Sequence, residues 1–244
     1  MNNYNDALEN ISKSLQMLGK AIKEVVSSVS LYSPQIIELL EGVRDVSQWY
    51  GAIEKLVDNQ YVFSDTLTLN FANRVINSKS IDSLMEEYYT ANSSQQLNEL
   101  IERCREAISP YNNSDLFDQA ICAYDKGHYH LACVALFAIT DGLFTQVSSN
   151  TTHRFKERMT IIHDKIDTNV SLSEMDKRVI VIYLALEKFD KSIYANSDFK
   201  GEEPPTVNRN WTLHGRASRE YSLIDFIKVS LWVEALLIMD NYEE

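Results

Sequence analysis

The chain has 244 residues, enough to bury the core of one large domain or two small ones. Hydrophobic residues make up 45% and charged residues 24%, as in ordinary soluble globular proteins, while 7 Gly and 4 Pro are too few to turn a sheet-rich fold. The net charge of −12 is spread evenly, with 9 basic and 15 acidic side chains in residues 1–110 and 14 and 20 in residues 111–244; this excludes the broad positive surface of a nonspecific nucleic-acid coat.

The first ten residues, MNNYNDALEN, have neither a basic start nor an apolar run, so no signal peptide is expected there. Over Asn5–Ser28, Leu8, Ile11, Leu15, Leu18, Ile22 and Val25 recur at three- and four-residue steps and predict a helix with one apolar stripe. That stripe suits either core packing or self-association. Pro34 opens a second helix, since Pro is at home in a first helical turn. Further helices are expected near 46–58, 66–78, 80–90 and 94–108, separated by polar punctuation at Ser78-Lys79-Ser80 and Asn92-Ser93-Ser94-Gln95.

Turn and cap residues concentrate at Ser109-Pro110-Tyr111-Asn112-Asn113-Ser114, which marks a boundary between an N-terminal helical region, 1–108, and a helical domain, 109–244. The N-terminal part suits an oligomerisation or regulatory role. Beyond the boundary, helices over 115–126 and 129–147 form a predicted αα-hairpin, the first stopped by Gly127. Helices over 152–167 and 172–195 follow, then a loop at 196–206. A short helix is expected over Val207–His214, capped by Thr206 and stopped by Gly215. The last helix starts at Ser222, with Asp225 placed as in a capping box, and runs to about Asn241. Its stretch Leu223–Met239 is broken by Asp225, Lys228 and Glu234, so it falls short of a membrane span and reads as a buried helix, covered by its own domain, a partner, or both. Cys104, Cys122 and Cys133 are an odd, sparse set within helices, which fits reduced thiols and a cytoplasmic location.

The chemistry-bearing residues cluster near the end of the chain. Pro205–Arg219 holds Arg209, Arg216, Arg219 and His214 and no acidic residue, a local positive island in an acidic chain. An imidazole can move protons near neutral pH, and a guanidinium can hold a phosphate oxygen in a forked geometry. On an ideal helix the five-residue step from Arg209 to His214 advances about 500°, so the two side chains diverge by about 140°. Either the Arg arm wraps back, the helix is irregular, or a second copy completes the site. A surface Arg and a capping His without chemistry fit the same residue types. Asp141 lies with His130, Val134, Phe137 and Phe144 on one helical face, where a buried carboxylate needs a partner; Arg209 or His214 would serve, and so would a partly exposed position beside Gly142. Arg216, Arg219 and Asp141 are the candidates for substrate contact. His128, His130 and Cys133 superficially suggest metal ligands, but residues two apart point about 160° apart on a helix and no fourth ligand is evident, so no metal or other cofactor is expected. His153 and His163 lie among charged residues and read as surface, and Tyr183 and Tyr194 read as parts of a packed helix.

Arg209-Asn210-x-x-x-His214 resembles the HEPN ribonuclease motif, in which an Arg is followed by a polar residue, often Asn, and then by a His. Its position between a long helix and a final apolar helix is also similar to bacterial HEPN-like proteins, and Tyr129–Phe144 resembles one of their core helices. The resemblance covers about residues 110–244, and residues 1–108 have no counterpart in it. It implies an all-α, HEPN-like helical bundle and a metal-independent endoribonuclease acting on RNA. The 2′-hydroxyl would attack the adjacent phosphorus, with His214 as general base or acid, Arg209 stabilising the developing charge and Asn210 orienting groups. It further implies a homodimer with a composite active site, an antiphage or toxin role, and an antitoxin or regulatory protein as partner, with no membrane involved. Some HEPN proteins have lost catalysis, so a non-catalytic scaffold that binds RNA, nucleotide or protein is the alternative.

Overall fold

A computed structural model describes residues 51–62, 68–149, 157, 188–189, 192–195 and 199–241. Among the described residues every regular element is a helix and none is a strand, as the scarcity of turn residues predicts. The elements are α1 (Leu69–Asn77), α2 (Ile81–Ile108), α3 (Ser114–Asp125), α4 (Tyr129–Ser148), α5 (Arg209–Leu213) and α6 (Leu223–Asn241), and residues 51–58 are also helical. The helices expected over 5–28, from Pro34 and over 152–167 lie outside the described residues, as does most of 172–195.

The chain divides into two compact units. Of the first, the described residues are 51–55 and 68–77. Here α1 buries Phe71, Ala72 and Val75, a three- and four-residue pattern, and Lys55 Nζ donates to the Ile76 carbonyl at 2.9 Å.

The second unit contains residues 56–62 and everything described from Ser78 onward. Ser80 caps α2 by accepting from the Ser83 amide at 3.2 Å. The helix breaks where polar punctuation predicts it: Ala91 is extended, and Asn92, Ser93 and Ser94 have φ of 50°, 59° and 61°. The expected helices over 80–90 and 94–108 are the two arms of this kinked element. The Ser109–Ser114 turn joins α2 to α3 inside the unit, and α2 packs against both α3 and α6. Helix α3 ends in a Schellman motif. Gly127 takes φ +74°, its amide donates to the Tyr124 carbonyl at 2.8 Å, and the His128 amide donates to the Ala123 carbonyl at 2.9 Å. The chain then returns as α4 along α3, the expected αα-hairpin.

Helix α6 forms the centre of this unit and packs chiefly on α4 and α2. Residues 225–237 are buried without interruption. The unit therefore covers this helix itself, and its burial needs no partner chain. Trp232 is completely buried among Phe144, Phe189 and Tyr194, whose ring centroids lie 6.3, 5.0 and 6.4 Å away. Burial of each large side chain contributes about 1.5–3 kcal/mol. The Trp232 indole N–H donates to the Tyr194 hydroxyl at 2.9 Å, so the apolar core leaves no buried donor unsatisfied there.

The three charges that interrupt α6 each meet an opposite charge. Asp225 pairs with Arg219 at 2.7 Å, Lys228 with Asp82 at 2.9 Å and Glu234 with Arg103 at 2.7 Å. Lys228 also lies 4.8 Å from the Tyr61 ring centroid, and the Tyr61 hydroxyl donates to Asp82 at 2.8 Å. Burial, and then the Asp82 charge, push the Tyr61 phenol far above its ordinary pKa, so it stays a neutral donor. Helix α4 is long and apolar enough to cross a membrane by length and composition, but 56% of that stretch is buried within the protein, as in the core helix of a globular fold.

Candidate active site on the short helix

Helix α5 is five residues long, too short to hold itself, and its neighbours fix it. The N-cap is Asn208 rather than the expected Thr206. The buried Asn208 side chain accepts from the Asn210 and Trp211 amides at 3.0 and 3.1 Å and donates to the Ser192 and Ala195 carbonyls at 2.9 and 3.3 Å. One amide side chain thus caps the helix and ties it to the turn at 192–195. The Arg209 amide adds a bond to the Ile193 carbonyl at 2.8 Å, and Asn210 Nδ2 one to the Ala195 carbonyl at 3.1 Å. Thr212 is buried, donates to the Asn208 carbonyl at 2.6 Å and lies 2.6 Å from the Tyr221 hydroxyl. At the other end Gly215, φ +62°, stops the helix as expected. Its amide donates to Thr212 at 3.2 Å and the Arg216 amide to Trp211 at 2.9 Å, a second Schellman motif. His214 is the C-cap residue, one position beyond the helix, and is exposed.

The structure joins Asp141 of α4 to Arg209 of α5. Arg209 Nε lies 3.2 and 3.1 Å from the two Asp141 carboxylate oxygens, and Nη2 also donates to Asp141 Oδ2. Nη1 donates to Asn210 Oδ1 at 3.0 Å. The carboxylate therefore takes the side edge of the guanidinium, and Asn210 takes a donor on the third nitrogen. Three of the five N–H donors are engaged by these bonds, one on each nitrogen. The pair is partly open to water, with relative side-chain exposures of 27% for Arg209 and 29% for Asp141, so an incoming anion can reach it. Beneath it, the buried Tyr194 hydroxyl lies 3.4 Å from Thr140 Oγ1. Burial and then the Asp141 charge push this phenol up to about 12, so it is a neutral part of the support.

His214 turns to other neighbours. Its ring meets Phe199 edge-on at 5.3 Å, and among the described residues no hydrogen bond links it to Arg209. The structure thus places Arg209 against Asp141 and His214 against Phe199, in keeping with the divergence calculated for a helix. The other island arginines also separate. Arg216 is exposed, with its guanidinium carbon 5.3 Å from the Phe199 ring centroid. Arg219 is bound bidentately by Asp225 at 2.7 and 3.0 Å and lies 4.4 Å from the Tyr221 centroid. Burial opposes its charge, but the Asp225 carboxylate outweighs burial and holds Arg219 firmly protonated. Asp225 also accepts from the Ser222 amide at 2.9 Å, the back-reaching half of the expected capping box. Glu203 accepts from the Ser218 hydroxyl and amide at 2.7 and 2.8 Å and from the Arg219 amide at 3.1 Å. The positive island of the sequence is thus largely neutralised in space, by carboxylates from three other segments.

His130 stacks on Tyr221 at 4.2 Å and Cys133 is buried, so these two act in packing. Among the described residues no group of three or more His, Cys, Asp or Glu side chains is placed to hold a metal ion. Sequence reasoning missed Asn208 and Phe199. Asn208 had a readable signal, as a residue of capping type directly before the Arg. Phe199 had none, because its role depends on a loop folding back. Comparison of the chain with family models, with curated proteins and with solved structures finds no match in any of the three.

Proposed function

We propose that this chain is a HEPN-like, metal-independent endoribonuclease in which Arg209 and His214 carry the reaction. The observation that supports this most is the fixed Arg209. Asp141 and Asn210 set its plane, which leaves one N–H on each of Nη1 and Nη2 for a phosphate. His214 stands exposed at the other end of the same short helix. In this reading the ribose 2′-hydroxyl attacks the adjacent phosphorus and the P–O5′ bond breaks, giving a 2′,3′-cyclic phosphate and a 5′-hydroxyl. His214 moves the proton, and Arg209 offsets charge on the non-bridging oxygens. Because the two side chains turn to different neighbours, we propose that a second copy of the chain completes the site, and that the protein acts in the cytoplasm as a toxin or antiphage effector held in check by a partner protein.

The test is incubation of the purified chain with total RNA, beside Arg209→Ala and His214→Ala. The wild type is expected to cut, each variant to lose at least about a hundredfold, and the products to end in 2′,3′-cyclic phosphate. No cleavage by the wild type, cleavage by both variants at the wild-type rate, or 5′-phosphate products would reject the catalytic reading. A non-catalytic RNA- or nucleotide-binding scaffold is the second reading. It is favoured by the neutralisation of Arg209 and Arg219 by carboxylates. RNA binding shared by the wild type and His214→Ala, without cleavage by either, is its signature.

A further inference from the structure

His214 and three side chains near it form a group that the proton-transfer scheme does not use in full. The Phe199 ring meets Trp211 at 5.5 Å and His214 at 5.3 Å, both edge-on, and Arg216 lies over it at 5.3 Å. Trp211 and Phe199 are partly exposed, and His214 and Arg216 are exposed. Phe199 adopts φ +54°, in the left-handed region that a bulky residue rarely enters. Such backbone geometry persists where the surroundings hold it and is concentrated at ligand clamps. Aromatic rings open to water beside a cation, at the edge of a site for phosphodiester chemistry, match the demands of an unpaired nucleobase. Every base offers a π-face to stack, and the flanking phosphate offers a charge to the guanidinium.

We propose that Phe199, Trp211 and Arg216 form a stacking subsite for an unpaired base next to the phosphate at His214. This rests on the reading of His214 as the reacting residue. The base faces of a duplex are already stacked and cannot enter. The acidity of the chain as a whole adds a second constraint. With a net charge of −12, long-range attraction to a polyanion is weak, and stacking carries more of the affinity than ion pairing. One or two phosphate contacts on a single strand correspond to a slope of about −0.7 to −1.4 in log K against log salt.

The experiment uses the full chain and a labelled single-stranded 2′-deoxy oligonucleotide of about twelve nucleotides. This probe lacks the attacking hydroxyl and reports binding without cleavage. Fluorescence anisotropy is expected to show the single strand bound at least about tenfold more tightly than its duplex. Phe199→Leu should lose about tenfold, Phe199→Trp should retain binding, and Arg216→Gln should flatten the salt slope by about 0.7. Circular dichroism confirms that each variant is folded. Equal affinity for single strand and duplex, no binding, or wild-type binding by folded Phe199→Leu would overturn the subsite. The two proposals fail separately. Binding that depends on Phe199, with ordinary RNA left uncut, keeps the subsite and removes the nuclease. Cutting of RNA that is indifferent to Phe199→Leu, in both rate and binding, does the reverse.

Discussion

At the scale of the residue, Asp141 is the most informative position. A carboxylate beside the proposed phosphate site would repel substrate through space, yet it also fixes the guanidinium that the proposed reaction needs for the phosphate. Its side-on contact with Nε and Nη2 favours the second effect. We therefore assign it a positioning role. Asp141→Asn keeps the shape and removes the charge, and it should lower kcat by about tenfold or more with little change in KM, the mark of an interaction expressed in the transition state. A rise in KM at constant kcat would instead make Asp141 a substrate contact. Glu203 gives a test by pH. Burial opposes its charge, but hydrogen bonds from Ser218 and Arg219 outweigh burial and lower its pKa in the folded protein. A carboxylate with a lowered folded pKa stabilises fully above its unfolded value, about 4.3, and loses that contribution as pH falls through the folded value. The Tm difference between wild type and Glu203→Gln should be present at pH 6 and shrink as pH falls below about 4.3, disappearing once the carboxylate is protonated in both states. A difference that does not shrink as pH falls through this range would show that the Glu203 carboxylate is not the cause.

At the scale of the element, α5 and α6 illustrate opposite strategies. Helix α5 fully buries only Thr212 and depends on its ends, through Asn208 and Gly215. Helix α6 is buried along 225–237 and must accommodate its charges. Its pair with Asp82 is asymmetric, because the Lys228 side chain is 4% exposed and the Asp82 side chain 52%. Removal of Asp82 leaves a buried ammonium without its carboxylate, whereas removal of Lys228 leaves a carboxylate in water. Asp82→Ala should therefore cost about 1–3 kcal/mol, and Lys228→Met less than about 1 kcal/mol. Urea midpoints compared at constant slope decide between this order and its reverse. The breaks in α2 and after α3 were legible in the sequence, because Asn92-Ser93-Ser94 and Gly127 relieve a local backbone constraint and need no distant partner.

At the scale of the whole molecule, the proposed composite site makes a prediction about stoichiometry. If each site takes Arg209 from one chain and His214 from the other, Arg209→Ala and His214→Ala chains mixed under exchange should regain activity. Random pairing makes half of the dimers mixed, each with one intact site, so recovery approaches roughly a quarter of the wild-type rate. No recovery, with mixed dimers shown to form, would place both residues in one chain's site. The burial of α6 within a single chain removes one argument for dimerisation, and the divergence of Arg209 and His214 supports it on separate grounds.

Local physics by itself determined much of this protein. Apolar periodicity and scarce Gly and Pro determined the helical character of the described residues, the αα-hairpin of α3 and α4, and the short helix that carries Arg209 and is stopped by Gly215. These depend on backbone preference within a few residues. Only the tertiary structure decided which charge meets which. The run from Pro205 to Arg219 holds no acid, but Asp141 lies 68 residues from Arg209 along the chain and Glu203 lies 15 residues from Ser218. Phe199 reaches His214 in the same way, through a loop that folds back across the helix end. Coulomb attraction and ring packing act through space, and their partners are set by how α4, α5 and the loop are brought together, which no local pattern encodes.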